Sequence, residues 1–447
     1  MAEFTPQQKA VLTSAAGSNL VNAVCKTGKS QLLIQLFLNR QEQPGEFKAV
    51  FLTSNGFSSQ RVIEQLQRIT KLDWSGQLIG TLPEIGWKLV QKHFGDLQYS
   101  RVPKLVADTA VQEERHAARA VAAKLIGDTQ SDQTRQAFIE QWNQDFATRL
   151  HHKDLASPRS LVIDAVTLFT KLSHHSVANV RLLAADDAHD FTFDELLAVA
   201  ALRERMDKSF VAGNTNIAIR DRYQDLETEN WTSWIGGQGH KLFSLGTCFN
   251  LSSKLGLFLH QLAAFNSNKI YDVIPAFQND PNIDSLFEVS VPSMEYMIDV
   301  IHEIENQLQL GIRNRVMGVI MRTRDEARMM ARTLGKPCCI LWDKNRLWTR
   351  FDLVTKGVVV TTPYEAPFLN LDYVTLPKCI KDYWPYPEER AEFGRHLFLR
   401  SVSSARIGVI FLIPDPSSGT LVSQFVSEGC NPKVVTKSAQ FAPAGAA

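Results

Sequence analysis

The stretch Asn19-Leu-Val-Asn-Ala-Val-Cys-Lys-Thr-Gly-Lys-Ser30 decides the fold that this sequence predicts. Its apolar lead predicts a short buried strand, Gly28 predicts a tight turn, and the apolar run 31–38 predicts a helix. The backbone N–H groups of such a turn and of the helix N-terminus bind phosphate. The stretch therefore predicts a phosphate-binding loop, with Lys29 at the β- and γ-phosphates and Ser30 Oγ on Mg²⁺.

The predicted loop departs from the usual pattern at its start, because Ala23 stands five residues before Gly28, where a glycine is usual. The order strand, loop, helix supports the prediction more than the triplet Gly28-Lys29-Ser30 alone, since short motifs recur by chance. The nucleotide-binding residues predicted from this loop are Ala23, Thr27, Gly28, Lys29 and Ser30.

A second apolar segment ends in acidic residues, Arg181-Leu-Leu-Ala-Ala-Asp-Asp-Ala-His-Asp190. A nucleotide-hydrolysing enzyme needs one carboxylate beside the phosphate loop to hold Mg²⁺ and another to orient and deprotonate the attacking water. Asp186 fills the metal position and Asp187 the catalytic position. Alternatively, Asp186 and Asp187 have no functional role and belong to an acidic turn before a helix over 191–203.

The composition is that of an ordinary globular protein: 447 residues, 44% hydrophobic and 21% charged, enough for two or three domains. The 48 Lys and Arg residues balance 47 Asp and Glu, so no overall basic field indicates nucleic acid, although a single basic cleft stays compatible with it. The six cysteines lack metal-ligand spacing, which indicates reduced thiols. Without a signal segment or an apolar run of about 18 residues, we expect a cytoplasmic protein with no membrane span.

Apolar runs alternate with helical patterns along the chain, which predicts an α/β fold with parallel sheets covered by helices on both faces. The predicted strands are 48–53, 78–82, 177–185, 209–213, 241–245, 315–321, 357–361, 373–376 and 406–412. Between 97 and 158 the pattern is almost purely helical and indicates an inserted subdomain. The polar segment 265–292, rich in Pro, Asn and Asp, indicates a connection, and 438–447 a disordered tail.

Nine short segments, in order along the chain, resemble the motifs of superfamily 1 DNA helicases of the UvrD/Rep/PcrA group. Phe4-Thr-Pro-Gln-Gln8 resembles the adenine-reading motif of that family, with Gln8 in the adenine-contacting place. Asp186-Asp-Ala-His-Asp190-Phe-Thr192 is similar to its Asp-Glu-Ala-Gln-Asp-Phe-Thr pattern. The other resembling segments are 53–56, 80–83, 210–214, 245–250, 316–334, 362–377 and 388–406.

The resemblance implies two RecA-like motor domains of the P-loop NTPase class, with single-stranded DNA in a groove across both. The first domain would comprise 1–96 and 159–240, the second 241–437, and 97–158 would be a reduced form of the family's helical subdomain. The implied cofactors are ATP and Mg²⁺, and the implied arginine finger is Arg406. Cycles of nucleotide binding would open and close the cleft between the domains.

The chain departs from the family mainly at positions that serve hydrolysis. The replacements are Asp187 for Glu, His189 for Gln, Ile217 for Gln, Asn250 for Arg, Ser404 for Arg, Pro367-Phe368 for Lys-Gly and Asn370 for Glu. An arginine that reaches the transferred phosphate is worth about 10³–10⁵ in rate. We therefore expect ATP binding with weakened or lost hydrolysis.

Two functions follow from these matches and losses. The first is an ATP-binding helicase homologue that acts on single-stranded DNA. The alternative is a catalytically inactive, helicase-derived scaffold or regulatory subunit that binds DNA or a protein partner. A nucleotide kinase or GTPase is disfavoured, because it does not explain a second α/β unit.

Overall fold

The computed structural model describes residues 4–24, 26–45, 47–126, 132–171, 177, 179–214, 239–252, 254–256, 258–259, 272–275, 286–291, 293–340, 356–379, 383, 391–414 and 433–435. Several positions interpreted above lie outside the described residues: Ile217, the segment 388–390, the tail 438–447 and the side chain of Asn250.

The strands of the described residues are, in chain order, β1 (Ser18–Ala23), β2 (Ala49–Leu52), β3 (Ile79–Gly80), β4 (Lys104–Leu105), β5 (Leu155–Ala156), β6 (Leu182–Ala185), β7 (Lys208–Gly213), β8 (Lys241–Leu245), β9 (Thr247–Leu251), β10 (Asp272–Pro275), β11 (Leu286–Ser290), β12 (Val316–Ile320), β13 (Gly357–Thr361), β14 (Leu371–Leu376), β15 (Ala405–Ile413) and β16 (Lys433–Val435). The α-helices are α1 (Pro6–Leu12), α2 (Lys29–Gln41), α3 (Gly56–Thr70), α4 (Leu82–His93), α5 (Gln112–Ile126), α6 (Asp132–His151), α7 (Pro158–Lys171), α8 (Phe193–Arg203), α9 (Met294–Gln307), α10 (Arg324–Leu334) and α11 (Ala391–Val402). Within the described part of the chain, every helix is too short or too polar to cross a membrane.

Two six-stranded parallel sheets organise the chain. The first sheet has the order β3-β2-β6-β7-β1-β8 and the second the order β13-β12-β14-β15-β11-β16. All their recorded strand pairings are parallel. The predicted α/β fold with parallel sheets is therefore confirmed, while the division into two motor domains and the P-loop NTPase class stay predictions.

Most strands of the two sheets are buried on both faces, which explains why they read as continuous apolar runs rather than alternating ones; the edge strand β8 is largely exposed. In β2, Val50 and its neighbour Phe51 belong to different hydrophobic clusters. In β13, the same holds for Val359 and Val360. Because successive side chains of a strand point to opposite faces, each sheet needs a layer of helices on either side.

The segment 97–158 is mostly helical in its described part, as the sequence predicts. α5 and α6 enclose a small apolar cluster of their own that includes the buried side chains of Trp142 and Phe146. The short pair β4 and β5 joins the two ends of this segment, with Leu105 opposite Ala156.

Three predictions of secondary structure need correction, and the first is the strand predicted over 177–185, which is only Leu182–Ala185 in the structure. The segment 265–292, interpreted as a connection, contains β10 and β11, and β11 is an inner strand of the second sheet, paired with β15 and β16. The predicted strand 78–82 shrinks to Ile79–Gly80, because Thr81 caps α4, which begins at Leu82 with a proline in its first turn.

Candidate functional site

The predicted phosphate loop lies at the carboxyl edge of the first sheet, between β1 and α2. β1 ends at Ala23. Two residues in the left-handed region make the turn before α2, Lys26 at φ 57° and Gly28 at φ 74°. Thr27 is buried, and its hydroxyl donates to the Val24 carbonyl oxygen at 3.2 Å. The turn leads into the first N–H groups of α2, which lack partners within the helix and favour an anion.

Gln8, in α1, hydrogen bonds to this loop. Its Nε2 donates to the Thr27 carbonyl oxygen at 2.9 Å, and its Oε1 accepts from the Thr5 backbone N–H at 2.9 Å. A Cβ at Gly28 would lie 3.1 Å from Gln8 Nε2, and the positive φ at this position already favours glycine. The sequence predicts that Gln8 contacts adenine; the structure gives both ends of its amide a partner in the chain, and the adenine contact stays a prediction.

The acidic segment follows β6, and a single strand, β7, separates β6 from β1. Two strand spacings amount to about 10 Å, which a lysine and an aspartate side chain span together. Lys29 Nζ lies 2.5 Å from Asp187 Oδ1 and 4.0 Å from Asp186 Oδ1. Ser30 lies close enough to the Asp186 carboxylate to oppose the rise in its pKa that burial causes. The structure thus brings Lys29 and Ser30 together with Asp186 and Asp187.

Burial and mutual charge set the protonation of this cluster. Burial, together with the Asp187 charge, raises the pKa of Asp186 to about 6, although Lys29 and Ser30 oppose the rise. Burial disfavours the Asp187 carboxylate as well, but Lys29 and the other nearby cations hold its pKa below the usual value. Burial also disfavours the Lys29 ammonium, but the two carboxylates outweigh it and raise its pKa. Lys29 and Asp187 are therefore a charged pair at neutral pH.

The oxygen atoms of this cluster suit Mg²⁺. In nucleotide sites Mg²⁺ takes one or two protein oxygen ligands and completes its shell with phosphate oxygens and waters. The Ser30 hydroxyl and the neighbouring Asp186 carboxylate are a donor set of this kind. Within the described residues, no group of three or more His, Cys, Asp and Glu side chains could hold a metal ion on its own.

The arginine that reaches the acidic segment from the second sheet is Arg400, which the sequence interpretation missed. Arg406, predicted as the arginine finger, lies in β15 with Nη1 3.7 Å from Asp372 Oδ1. Arg400, in α11, donates through Nη1 and Nη2 to the two carboxylate oxygens of Asp190, at 2.8 and 2.7 Å. It precedes Ser404, where the family has its arginine, by four residues, or about one helical turn. That spacing is the signal that could have identified it.

The guanidinium of Arg400 is held on several sides. Its Nε donates to the Pro363 carbonyl oxygen at 2.8 Å, its Nη2 also donates to the Tyr364 carbonyl oxygen at 3.1 Å, and the group lies 5.6 Å from the Phe368 ring centroid. Arg400 is 1% exposed and Asp190 is 3% exposed. Because both charges are desolvated, their attraction is little screened by salt. The pair ties the second sheet to the acidic segment of the first.

His189 lies within the same buried cluster, at a position where the family has a glutamine. It is 2% exposed, its Nδ1 has no hydrogen-bond partner among the described residues, and its Nε2 is 3.9 Å from Asp190 Oδ2. Burial lowers the pKa of His189 to about 4, against the opposing charges of Asp190 and Asp187. The imidazole is therefore neutral at neutral pH.

Two replaced positions of the segment 362–377 contact a helix of the first sheet. Arg61, in α3, donates to the Phe368 carbonyl oxygen at 3.1 Å and to Asn370 Oδ1 at 2.9 Å. The buried rings of Phe57 and Phe368 form a small apolar cluster beside these bonds. Where the resemblance implies a glycine and a ribose contact, this chain has residues that join its two halves.

Comparisons with known proteins add little to this geometry. No family model matches the chain, and a search of curated proteins finds no match. Among solved structures, the chain is similar to the C-terminal domain of a possible DNA helicase from Lactobacillus plantarum WCFS1, with 15% sequence identity and a TM-score of 0.29. The similarity covers 42% of this chain and 98% of that domain.

Proposed function

We propose that this protein binds ATP with Mg²⁺ at the phosphate loop and acts on single-stranded DNA as a UvrD/Rep-like helicase homologue with weakened or lost hydrolysis. The observation that carries the proposal is the convergence of Lys29 and Ser30 with Asp186 and Asp187 at one sheet edge. A cation for phosphate, oxygen ligands for Mg²⁺ and a second carboxylate for water are the parts that phosphoryl transfer requires.

Nucleotide binding would exchange the partner of Lys29. The ammonium now faces Asp187 at 2.5 Å, and the β- and γ-phosphates offer it more negative charge than one carboxylate does. Once Lys29 moves to phosphate, the Asp187 carboxylate is released to orient a water molecule. Asp186 and Ser30 would hold Mg²⁺, which neutralises charge on the phosphate oxygens when bound.

The engaged arginines support weakened hydrolysis. Arg400 is bound to Asp190, and Arg406 lies beside Asp372. Ser404, where the family has an arginine, carries no charge. A nucleotide at the loop would therefore meet less positive charge from the second sheet than in an active helicase, and stabilisation of the transition state would fall accordingly.

Calorimetric titration of MgATP into the wild type and Lys29→Ala tests the proposal, with Lys124→Ala, an exposed lysine of α5, as the matched control. We expect Lys29→Ala to weaken binding about 100-fold, since a charge-assisted contact is lost and two carboxylates face the phosphates unopposed. Lys124→Ala should bind like the wild type. Absence of MgATP binding by the wild type would contradict the proposal.

Turnover is measured separately, with and without single-stranded DNA, whose binding is followed by anisotropy of a labelled oligonucleotide. We expect DNA binding and little or no phosphate release. Turnover of about 1–100 s⁻¹, the range of ordinary phosphoryl-transfer enzymes, that Lys29→Ala abolishes would contradict weakened hydrolysis.

The alternative, an inactive scaffold that binds DNA or a protein partner, is favoured by the Arg400–Asp190 pair. A motor opens and closes the cleft between its halves, whereas a buried, bidentate ion pair across the halves holds them together. DNA binding that does not change between the ATP-free and ATP-bound protein would select the scaffold.

A further inference from the structure

Lys26 lies within the phosphate loop at a position where the family prefers a glycine. Its φ of 57° places it in the left-handed region, which is strained for a residue with a long side chain. Strain of this kind persists only where the surrounding structure maintains it, and it concentrates at functional sites. The presence of a lysine here needs an explanation from its contacts.

Lys26 bridges the loop to the second half of the chain. Its carbonyl oxygen accepts from the Phe249 backbone N–H, in β9, at 2.7 Å. Its Nζ donates to the Ser404 carbonyl oxygen, just before β15, at 3.5 Å. The ammonium therefore lies where the second sheet approaches the phosphate loop.

Ser404 is the position at which the family carries a cleft-crossing arginine. In this chain Ser404 is buried, and its hydroxyl donates back to the Arg400 carbonyl oxygen at 2.8 Å. It offers a nucleotide no cation. The positive charge at this place comes instead from Lys26, on the opposite side of the cleft.

We propose that Lys26 contacts the terminal phosphate of a bound nucleoside triphosphate, and so makes the site prefer triphosphate over diphosphate. This inference rests on the proposed nucleotide binding. A phosphate loop encloses the β-phosphate, and a flexible four-carbon side chain on the loop reaches the next phosphate outward. The ammonium donates to the Ser404 carbonyl oxygen over 3.5 Å, and a negatively charged phosphate oxygen is a stronger acceptor than a carbonyl oxygen.

The test is calorimetric titration of the wild type, Lys26→Gly, Lys26→Asn and Lys26→Arg with two probes, the magnesium complexes of ADP and of the non-hydrolysable analogue AMP-PNP. Gly and Asn accept the left-handed conformation, so the neutral variants keep the loop folded, and their melting temperatures verify it. We expect the AMP-PNP to ADP affinity ratio to fall about tenfold in both, the usual scale for one charge-assisted hydrogen bond. Lys26→Arg should retain the ratio.

Lys71→Gly is the matched control, because Lys71 is an exposed lysine at φ 62° at the end of α3. It undergoes the same backbone change away from the loop and should leave the ratio unaltered. An unchanged ratio in Lys26→Gly and Lys26→Asn, with Lys29-dependent binding intact, would overturn this inference and leave the proposed function standing. An equal loss of affinity for both nucleotides would overturn it too, since it indicates a structural role. A wild type that binds neither nucleotide overturns both.

Discussion

The carboxyl edges of the two sheets carry different kinds of residue. At the edge of the first sheet, Lys29 and Ser30 face Asp186 and Asp187 in an arrangement suited to phosphate and Mg²⁺. At the edge of the second sheet, the charged group that points toward the first is Arg400, and a carboxylate already occupies it. The edge of the first sheet has groups suited to binding phosphate and Mg²⁺. The edge of the second sheet has a group that joins the two halves of the chain.

This difference has a physical origin. The binding groups of the first edge come from adjacent parts of one sheet, so they stay in place whatever the second half does. Catalytic arginines must come from another body and arrive at the phosphate, a geometry that many weak contacts define. Replacement of a few residues is enough to redirect them. The two edges can therefore differ in function, and the next three experiments measure what each edge contributes to stability.

The largest effect is expected from breaking the Arg400–Asp190 pair. Arg400→Met leaves Asp190 as a buried charge without its bidentate partner, and we expect the free energy of unfolding to fall by about 3–5 kcal/mol in urea titrations. The double variant Asp190→Leu with Arg400→Met removes both charges and should recover most of that loss.

Arg328→Met is the control for this experiment, because it removes an arginine from an exposed pair with Asp325 in α10, at 3.0 Å. Exposed pairs of this kind contribute about 0.5 kcal/mol or less. If Arg400→Met lowers the free energy of unfolding by no more than Arg328→Met does, the Arg400–Asp190 pair does not hold the two halves together.

A smaller effect concerns the pH dependence of the first edge. The pKa of His189 is about 4 in the folded protein and about 6.5 in an unfolded chain, so the unfolded state binds more protons between these values. The contribution of His189 to stability is present above about pH 6.5 and is lost as the pH falls toward 4, by about 2 kcal/mol between pH 7 and pH 5.

His189→Gln, which introduces the family's residue, should remove this part of the pH dependence. Urea titrations at pH 7, 6 and 5 measure it, and His116→Gln, a substitution of an exposed histidine in α5, is the control. If the free energy of unfolding changes equally with pH in the wild type and in His189→Gln, this result would contradict the assignment of a neutral buried imidazole.

The smallest effect is expected at the partly exposed contact between Arg61 and Asn370. Asn370→Glu restores the family's carboxylate and gives Arg61 a charged partner, for a gain in stability of about 0.5 kcal/mol. A double-mutant cycle with Arg61→Ala isolates this term, and high salt should abolish it. A coupling that survives 1 M salt would show that the two edges meet through something other than this charge pair.

Local patterns in the sequence predict much of the fold. β2, β7, β12 and β13 match their predicted ranges within one or two residues, because each contains a continuous apolar run. β8 matches its predicted range as well, although it begins with Lys241 and Ser244 interrupts its apolar residues. β11 was missed, since only five residues of strand lie within a segment of proline, asparagine and aspartate. Its stability comes from pairing with β15 and β16, which no local window contains.

The candidate site also contains residues that local sequence patterns predict and one residue, Arg400, that they do not. Lys29 and Ser30 begin the helix after β1, and Asp186 and Asp187 follow β6, so the strand ends alone predict that they meet. The partner of Asp190 lies 210 residues further along the chain, and its choice depends on how α11 packs. A family pattern pointed to Ser404 and Arg406, whereas the guanidinium that reaches the site comes from one helical turn earlier.

β7 lies between β1 and β6 and fixes the distance between the two loops of the candidate site. Val211 pairs with Leu20 of β1 on one side and with Ala185 of β6 on the other. The backbone hydrogen bonds of β7 to β1 and β6 set the distance between the phosphate loop and the acidic segment. The side chains of the two loops do not determine this distance. Substitutions in the loops, such as lysine at position 26, therefore alter what the site contacts without altering its width. The spacing is therefore a property of the sheet and not of the loops.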